Sequence, residues 1–358
     1  MKKLRYGKSS VVLGQLAVLI LAAVAQASPS YQVTDVWFDT PYPLIGCTDI
    51  NTAGVAVGNS LGEAGPVGQG FAWDSGSVTF IPALYTWATN DSRQVVGEFR
   101  DAWTGASHPY VWQNGIMNLL PLTGDARDIN NAAQVVGRMW VALNYRAFLW
   151  DAGDITDLGT LGGEWAQATA ISELAQVVGF SSTSSGECHA FIWEAGQMID
   201  LGTLGGTFSQ AWGVNKLGQV VGNSTTGSGA THAFLWENGV MTDLGGFETD
   251  TGENTCAWDI NDSGVIVGGC RNGLYEGPAL MWQGGNVYDL NDLIDPGSGL
   301  VLTTALAVNS GGRIAGSAGL FHGFILTPAN LVPSPGAMLL GIIGIGVVAA
   351  FRRMRSVA

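Results

Sequence analysis

The sequence predicts an all-β fold, a seven-bladed β-propeller built from four-stranded blades. Three observations support this prediction: a repeat that recurs along the chain, four short apolar runs in every repeat, and a displaced fourth run near the start of the chain. The repeat is clearest in two adjacent segments of similar sequence, Leu158–Asp200 and Leu201–Asp243. Repeats of this length are typical of architectures in which each unit buries its apolar face against a neighbour.

Looser copies extend the repeat to seven units. Each unit contains a VVG-like run, and these runs close on Gly58, Gly97, Gly137, Gly179, Gly222, Gly268 and Gly316. Each unit also contains an AFLW-like run, and these runs close on Trp73, Trp112, Trp150, Trp193, Trp236 and Trp282, with Leu326 in the seventh position. We predict that these tryptophans belong to the hydrophobic core, because a buried indole contributes a large apolar area.

Unit 6 illustrates the four runs of a repeat. They are CAWDIN (Cys256–Asn261), VIVGG (Val265–Gly269), PALMW (Pro278–Trp282) and VYDL (Val287–Leu290). The runs are rich in β-branched and aromatic residues and too short for helices, so they read as strands. Glycine- and asparagine-containing sequences between them predict hairpin turns. Four antiparallel strands in a unit of this length predict a propeller blade.

The two ends of the repeat region predict how the propeller closes. Unit 7 ends with its third run, Phe324–Leu326, and has no fourth. The early segment Gln32–Trp37, QVTDVW, resembles the fourth runs of other units. We therefore expect it to complete the last blade, which leaves no long edge open. A parallel β-helix is the competing fold, but it gives no reason for the displaced run.

The terminal segments predict export. Residues 1–27 combine a basic start, an apolar stretch and a small-x-small site ending at Ala27, which is typical of a cleaved signal peptide, with a retained membrane anchor as the alternative. After the repeat region, residues 31–326, come a proline-containing linker, 327–335, an apolar segment, 336–351, and a basic tail, 352–358. The apolar segment predicts one transmembrane helix with the arginines in the cytoplasm, and a buried core helix is the alternative.

The charge of the repeat region excludes one class of partner. All 29 acidic residues, but only 8 of the 15 basic ones, lie between the terminal segments, which leaves a net charge of −21 there. A nucleic-acid partner is not expected, because polyanions are repelled by such a surface.

Two bacterial sequence families resemble parts of the chain. The tail, with Val332, Pro333, Ser334 and Pro335 before the apolar segment and Arg352 and Arg353 after it, resembles a PEP-CTERM sorting signal, although Ser334 stands where the motif has Glu. That resemblance implies a sorting protease of the exosortase type as partner. It also implies an inner-membrane-tethered precursor that is released to the cell surface or extracellular matrix.

The repeat itself resembles the HAF repeat of bacterial extracellular proteins. The motif appears as His189-Ala190-Phe191 and His232-Ala233-Phe234, and looser forms begin at His108 and His322. The resemblance implies a secreted or surface repeat protein and transfers no catalytic residue.

The sequence favours structural roles for the histidines and for a calcium-loop-like segment, rather than metal binding. The four histidines begin third strands in different blades, so we expect each to bind a nearby backbone group or hydroxyl rather than a shared metal. The sequence Asp259–Gly264 imitates the start of a calcium loop, but Cys270 stands where the bidentate Glu belongs. A hairpin turn is favoured, no cofactor is predicted, and weak Ca²⁺ binding is left open.

Two of the four cysteines predict a disulfide. Cys256 and Cys270 flank one hairpin and would face each other across its two strands, in a chain whose export permits the bond. Cys47 and Cys188 fall in blades too far apart to pair.

The long connections between second and third strands, and between units, predict the binding face, because variable loops on a rigid scaffold commonly hold binding sites. The candidate binding residues are Asp101, Trp103, Trp140, Tyr145, Trp165, Glu248, Asp250 and Tyr275. We expect a non-enzymatic surface or matrix scaffold that binds an extracellular polysaccharide or matrix protein. The alternative is a propeller-type polysaccharide hydrolase or lyase that uses carboxylates on the same face, although no catalytic motif is present.

Overall fold

The structure, a computed structural model, describes residues 30–37, 44–62, 65–247, 254–272, 275–319 and 322–329. The predicted signal peptide, membrane segment and basic tail lie outside these residues. None of the helices in the described ranges has the length and hydrophobicity that a bilayer-spanning segment requires.

The described chain consists of strands and two short 3₁₀ helices. Units 1 to 3 contain β2–β5 (Leu44–Ile50, Ala56–Gly62, Gly65–Asp74, Ser77–Ile81), β6–β9 (Tyr85–Thr89, Val95–Arg100, Ser107–Gln113, Ile116–Leu119) and β10–β13 (Gly124–Ile129, Val135–Val141, Asn144–Asp151, Asp154–Asp157). Units 4 and 5 contain β14–β17 (Gly162–Ile171, Val177–Thr183, Cys188–Glu194, Gln197–Asp200) and β18–β21 (Gly205–Val214, Val220–Thr226, Thr231–Glu237, Val240–Asp243). Units 6 and 7 contain β22–β25 (Thr255–Ile260, Ile266–Asn272, Tyr275–Gln283, Asn286–Asp289), the helices Leu290–Leu293 and Pro296–Ser298, and β26–β28 (Leu302–Val308, Ile314–Ala318, His322–Pro328).

The strands of each unit pair in chain order and antiparallel. Units 1, 2, 3 and 6 are separate four-stranded sheets, whereas units 4 and 5 form one eight-stranded sheet through a single parallel bridge between Cys188 and Phe208. The fold is therefore all-β and built from four-stranded antiparallel units, as the sequence predicts.

The first strand of the chain, β1 (Tyr31–Val36), belongs to unit 7. It pairs antiparallel with β28, and Val33 lies opposite Leu326. The sheet order is β1-β28-β27-β26, so the earliest strand supplies the fourth strand of the last unit. This confirms the expected position of the displaced run.

The turns between third and fourth strands are two-residue hairpins. Both central residues have positive φ, for example Ala152 and Gly153 at 49° and 108°, and Asn238 and Gly239 at 51° and 83°. This conformation matches the twist of the flanking strands, and it explains the glycine in the second position.

The glycine of each VVG-like run is required by a close approach of two strands. A Cβ atom on Gly222 would overlap the carbonyl oxygen of Gln210, and one on Gly179 would overlap that of Gln167. Both contacts lie beside a register shift between the first and second strands of their units. The glycine therefore lets the backbone pass this irregularity.

The hydrophobic core lies between neighbouring units. The described residues form seven clusters, each drawn mainly from two adjacent units, and one of them joins unit 7 to unit 1. The largest fully buried side chains include Phe71, Tyr110, Phe148, Phe191, Phe234 and Phe324 from the third strands. Of the tryptophans predicted as core, Trp112 and Trp282 are buried, whereas Trp73, Trp150, Trp193 and Trp236 are half-buried against the clusters. The third strands therefore do contribute to the core. In these strands, however, the aromatic residue two positions before the tryptophan is more deeply buried than the tryptophan itself.

A chain of asparagine side chains connects the turns between first and second strands. Each side-chain amide donates to the backbone carbonyl of the equivalent turn in the next unit. The donor–acceptor pairs are Asn51 to Asn90, Asn90 to Asn130, Asn130 to Ser172, Asn215 to Asn261, Asn261 to Asn309 and Asn309 to Asn51. The series returns to its start and is interrupted at Ser172, because serine has no amide to donate.

The predicted disulfide between Cys256 and Cys270 is wrong. Strand pairing places Cys256 opposite Gly269 and Cys270 opposite Thr255, so the two thiols point to opposite faces of the sheet, and no bond joins them. The cause is a bulge at Trp258, where the register shifts by one residue. A regular hairpin would have placed the two cysteines opposite each other, because side chains in an antiparallel pair alternate faces.

Candidate functional site

Every unit has a β-bulge in its first strand, and the bulged residues surround one space. The register with the second strand shifts by one residue in each unit, which re-aims one side chain. The bulged residues are Thr48, Trp87, Arg127, Thr169, Trp212, Trp258 and Leu306. We call the space that the seven first strands enclose the channel.

Two cavities lie along the channel. At the end formed by the turns between first and second strands, a cavity of 330 Å³ is lined by residues of all seven units. At the other end, a cavity of 280 Å³ lies against units 1, 2, 6 and 7. We call this second space the channel pocket.

The channel pocket exists because the bulges differ in size. Tyr85, Trp87, Trp258 and Leu306 form its larger walls, and small residues such as Gly46 and Thr48 leave the volume open. Tyr85 and Trp87 stack with ring centroids 5.5 Å apart and an angle of 27° between the planes. The pocket is therefore apolar and aromatic on two sides.

A continuous series of aromatic contacts leads from the outer surface to this pocket. The series runs through Trp140, Tyr145, Trp165, Phe180, Trp212 and Trp258, and we call these six residues the aromatic row. Consecutive ring centroids are between 5.0 and 6.1 Å apart. Trp140 is 48% exposed at the outer end, and Trp258 lines the channel pocket at the inner end.

Two arginines contact the aromatic residues from the side of unit 3. The guanidinium carbon of Arg138 lies 5.5 Å from the ring centre of Tyr145 and 5.8 Å from that of Trp140. That of Arg127 lies 4.3 Å from the ring centre of Trp87. Both arginines are ion-paired with the buried carboxylate of Asp125. These contacts hold the aromatic planes in place, because a cation is attracted to the ring face.

Three aspartates, Asp49, Asp128 and Asp259, each lie one position after a bulge in a first strand, and we call them the channel aspartates. Asp49, Asp128 and Asp259 each accept a hydrogen bond from the next backbone N–H and another from the following unit. Burial raises the pKa of Asp49 to about 6, of Asp259 to about 7 and of Asp128 to about 8, and repulsion between these carboxylates adds to the last two pKa values. All three aspartates are half-buried.

The sequence Asp259–Gly264 forms a hairpin turn. Asn261 accepts hydrogen bonds from the N–H groups of Ser263 and Val265, while Asp259 bonds outside the turn to Val308. In the described part of the chain, no group of three or more His, Cys, Asp or Glu side chains is placed to hold a metal ion.

Three of the four histidines bind carboxylates within their own units. The Nδ1 atom of each of these histidines lies 2.9 Å from a carboxylate oxygen. The pairs are His189 with Asp200, His232 with Asp243 and His322 with Asp35. Arg146 occupies the same position in unit 3 and pairs with Asp157 at 3.5 Å. His108 instead contacts the carbonyl oxygen of Leu122. The sequence analysis expected each histidine to bind a backbone group or a hydroxyl. The structure shows an aspartate of the fourth strand as the partner of three histidines, and a backbone carbonyl only for His108.

Three of the eight predicted binding residues come together in the structure: Trp140, Tyr145 and Trp165 are consecutive members of the aromatic row. Two others lie apart from it. Trp103 is 96% exposed in the β7–β8 connection, and Asp101 accepts hydrogen bonds from the N–H groups of Trp103 and Thr104, which lower its pKa.

The remaining predicted site residues cannot be placed. Glu248, Asp250 and the side chain of Tyr275 lie outside the described residues. The same holds for the processing residues Ala27, Val332, Pro333, Ser334, Pro335, Arg352 and Arg353.

Sequence reasoning missed the inner half of the site, namely Trp87, Arg127, Trp212 and Trp258. All occupy the position just before the recurring Asp or small residue of the first run, as in AWDIN and ARDIN. Alignment of the units at that position could have identified them as one class of variable residue on a fixed scaffold.

Comparison with known proteins supports the fold and little else. No protein-family model matches the sequence, and a search of curated proteins finds no significant match. Among solved structures, the chain is similar to a catalytically inactive variant of virginiamycin B lyase from Staphylococcus aureus with quinupristin, with 12% identity, a TM-score of 0.53, and coverage of 83% of this chain and 99% of that one. It is also similar to TolB from Acinetobacter baumannii (11% identity, TM-score 0.46, 90% and 71% covered) and to the WD40 β-propeller domain of Doa1 (12% identity, TM-score 0.46, 81% and 98% covered). The match to the lyase, whose TM-score is above 0.5, shows a shared fold, and the strand pairing shows that this fold is all-β and built from four-stranded antiparallel units.

Proposed function

We propose that this chain is an exported, non-enzymatic scaffold of the cell surface or extracellular matrix that binds a polysaccharide along the aromatic row. The observation that carries the proposal is the continuity of the row, from the exposed ring of Trp140 to Trp258 at the channel pocket. Aromatic faces are suited to the apolar faces of sugar rings, because both are flat and contact over a large area.

The proposal includes a closed seven-bladed propeller as the scaffold. Three features support it: the seven four-stranded units, the seven clusters between neighbouring units, and the hydrogen bond from Asn309 to Asn51. In such a ring each unit is held on both sides. The aromatic rings contributed by units 3, 4, 5 and 6 then have fixed relative positions, which lowers the entropy lost when a long ligand binds.

The acidic residue near the aromatic row supports a binding protein rather than an enzyme. Asp125, the buried acid beside these aromatic residues, is ion-paired with both Arg127 and Arg138. A glycosidase requires two carboxyl groups on either side of the scissile bond, one of them free to donate a proton. The hydrolase or lyase alternative therefore has less support than binding.

The proposed cellular location rests on the sequence. The signal-like segment 1–27 and the PEP-CTERM-like tail, with Ser334 in its motif, support export, tethering by the apolar segment 336–351 and release by an exosortase-type protease. Replacing Ser334 with Glu would restore the usual motif, and release from the membrane should then be at least as efficient. Unchanged retention of wild-type and variant chains in the membrane would contradict this part of the proposal.

Binding can be tested with a double variant of the row. Trp140→Ala with Trp165→Ala should abolish retention of the purified full-length chain on bacterial polysaccharides in affinity electrophoresis, because two adjacent stacking platforms are lost. Trp103→Ala is the matched control, since it removes an exposed tryptophan outside the row. Equal retention of the double variant and wild type would overturn the proposal. Release of shortened sugars by the wild type would favour the enzyme alternative.

A further inference from the structure

A group of three charged side chains in unit 3 has a property that the polysaccharide proposal does not use. Asp125, whose side chain is 2% exposed, accepts a hydrogen bond from the Nε atom of Arg127 on one carboxylate oxygen and from that of Arg138 on the other. In the described part of the chain, no other carboxylate forms an ion pair with either arginine. The group therefore carries one positive charge in excess.

This excess charge is not required to neutralise the buried acid. The other ion pairs of arginine and lysine among the described residues join one cation to one carboxylate: Arg93 to Asp74, Arg146 to Asp157 and Lys216 to Asp262. One arginine would likewise compensate Asp125, and bringing a second cation partly out of water costs free energy. The second guanidinium therefore has a charge that is available to a ligand.

Arg138 is the arginine that lies beside the aromatic row. Its guanidinium carbon is 5.5 Å from the ring centre of Tyr145 and 5.8 Å from that of Trp140, and its side chain is 27% exposed. Besides the bond to Asp125, it donates one hydrogen bond within the described residues, from Nη1 to the side-chain oxygen of Gln167 at 3.4 Å. Because a guanidinium has five N–H donors, most of them remain available next to two aromatic surfaces.

The repeat explains how these three residues meet. Arg138 follows the glycine of a VVG-like run and lies directly opposite Asp125 in the strand register. Arg127 is the bulged residue of the same first strand, two positions after Asp125. In the other six units the residue after that glycine is uncharged or acidic, namely Asn59, Glu98, Phe180, Asn223, Gly269 and Ser317. The scaffold therefore does not require a cation at this position, and only unit 3 supplies one.

The chemistry of this position favours an acidic sugar. A guanidinium is planar and can bind a carboxylate through two parallel hydrogen bonds. A hexuronic acid carries a carboxylate on a sugar ring, and the apolar face of that ring can lie against an aromatic side chain. One excess charge can compensate one carboxylate, whereas the net charge of −21 in the repeat region repels a polymer that is charged at every sugar. The matching ligand is therefore a mainly neutral polysaccharide with isolated uronic acids.

We propose that Arg138 binds the carboxylate of a uronic acid whose ring lies against Trp140, while Arg127 compensates Asp125. This inference rests on the proposed function and deepens it, because it names one kind of sugar that the polysaccharide must contain. The neutral sugars that follow would lie along the remaining rings of the aromatic row.

Monosaccharides test the arginine separately from the row as a whole. In calorimetric titration of the purified full-length chain, methyl glucuronide should bind at least about tenfold more tightly than methyl glucoside, because only the glucuronide offers a carboxylate to Arg138. Glucose 6-sulfate carries a charge without a planar carboxylate, so it should bind less tightly than the glucuronide. Equal affinities for glucuronide and glucoside would overturn the inference. Tighter binding of the sulfate, or no detectable binding of the glucuronide, would overturn it as well.

Variants of Arg138 test the contact directly. Arg138→Gln should weaken the binding of methyl glucuronide at least about tenfold and leave that of methyl glucoside unchanged. The buried carboxylate of Asp125 keeps Arg127 as its partner in this variant, and cooperative melting would show that the variant is folded. Arg138→Lys keeps the charge without the planar group, and it should retain only part of the affinity for the glucuronide.

Arg93→Gln is the matched control, because it removes an exposed, ion-paired arginine that lies outside the aromatic row. Its affinity for methyl glucuronide should equal that of the wild type. A folded Arg138→Gln variant that binds the glucuronide as the wild type does would overturn the inference. If the glutamine variant does not fold, the lysine variant decides, and wild-type affinity in that variant would overturn the proposed contact.

A polymer separates this inference from the proposed function. Immobilised glucuronoxylan, a neutral chain with isolated glucuronic acids, should retain the wild type more strongly than its carboxyl-reduced form does. If the two forms retain the wild type equally and the double variant Trp140→Ala, Trp165→Ala loses retention, the polysaccharide proposal survives and the assignment of Arg138 fails. If both forms retain the double variant as they retain the wild type, the proposed function fails, and the glucuronide titration of the wild type still decides the assignment of Arg138.

Discussion

The side-chain amide of Asn309 donates a hydrogen bond of 2.8 Å to the backbone carbonyl of Asn51, which lies 258 positions earlier in the chain. This bond joins the last turn of the series to the first. The guanidinium of Arg313 adds a second link at 3.1 Å, to the carbonyl of Ala53. The two ends of the repeat region are therefore joined at the turns as well as through β1.

Replacing Asn309 with Ser tests the contribution of this bond. Serine retains an oxygen that can accept from the N–H of Arg313, as Ser172 accepts from Gln176, but it cannot reach the next unit. The loss of one buried hydrogen bond should lower the free energy of unfolding by about 1 kcal/mol. Urea denaturation would measure it, and an unchanged midpoint would show that the bond contributes nothing to stability.

Replacing Ser172 with Asn is the reciprocal experiment. The new amide would occupy the position from which Asn130 and Asn215 reach their neighbours, and it should donate to the carbonyl of Asn215. We expect the free energy of unfolding to rise by about 0.5–1.5 kcal/mol, the usual gain from one added hydrogen bond. A destabilised variant would mean that unit 4 cannot accept the amide at this turn.

The channel aspartates predict that stability falls as pH rises. Their pKa values in the folded chain, about 6 for Asp49, about 7 for Asp259 and about 8 for Asp128, lie above the ordinary value of 3.8. The folded state therefore binds more protons than the unfolded state between pH 4 and 8, and the stabilisation is lost as pH rises through this range. Because each aspartate is only half-buried, solvent screens its carboxylate, and we expect a total loss of about 1–3 kcal/mol rather than the full value of about 1.4 kcal/mol per pKa unit.

Urea denaturation at pH 5 and pH 8 checks this expectation, with Asp128→Asn as the comparison. The asparagine removes the group with the highest pKa, so the difference between the two pH values should shrink, even though the variant loses the bond to Ile171 and is less stable at both. Greater stability of the wild type at pH 8 than at pH 5 would contradict the raised pKa values.

Two aromatic residues of one strand should differ in their contribution to the core. Phe234 is fully buried, whereas Trp236 is half-buried against the same cluster. Phe234→Ala should cost about 3–5 kcal/mol and Trp236→Ala about 1–2 kcal/mol, because a partly exposed ring loses less buried surface. Thermal and urea melting of the two variants compare them directly, and a larger cost for Trp236→Ala would reverse this assignment.

The fold could be predicted from sequence wherever a pattern repeats. Gln32–Trp37 could be assigned to the last unit because its TDV sequence resembles the TDL of fourth runs in other units, and Val33 does pair with Leu326. The bulges could not be predicted, because one extra residue in a short strand shifts the alternation of polar and apolar residues over too few positions to be recognised. That single omission explains both the wrong pairing of Cys256 with Cys270 and the failure to find Trp258 in the site.

The candidate site was predictable at its outer end only. Trp140, Tyr145 and Trp165 stand in segments that vary between units, so their departure from the repeat was visible. Trp87 and Trp212 lie within the repeated strand itself, where an aromatic residue fits the apolar pattern of a strand. Their orientation depends on backbone geometry, and residue type alone does not determine it.

The pairing of β1 with β28 links the start of the chain to its end, and this has a kinetic consequence. During synthesis β1 emerges first and remains without its partner until nearly three hundred residues have followed. Contacts between such distant segments form slowly, because a long loop must close before they are gained. The nascent chain therefore exposes an unpaired strand, β1, for most of its synthesis. Binding of a chaperone to this strand, or a delay in folding until the whole chain has been synthesised, would suppress aggregation through β1.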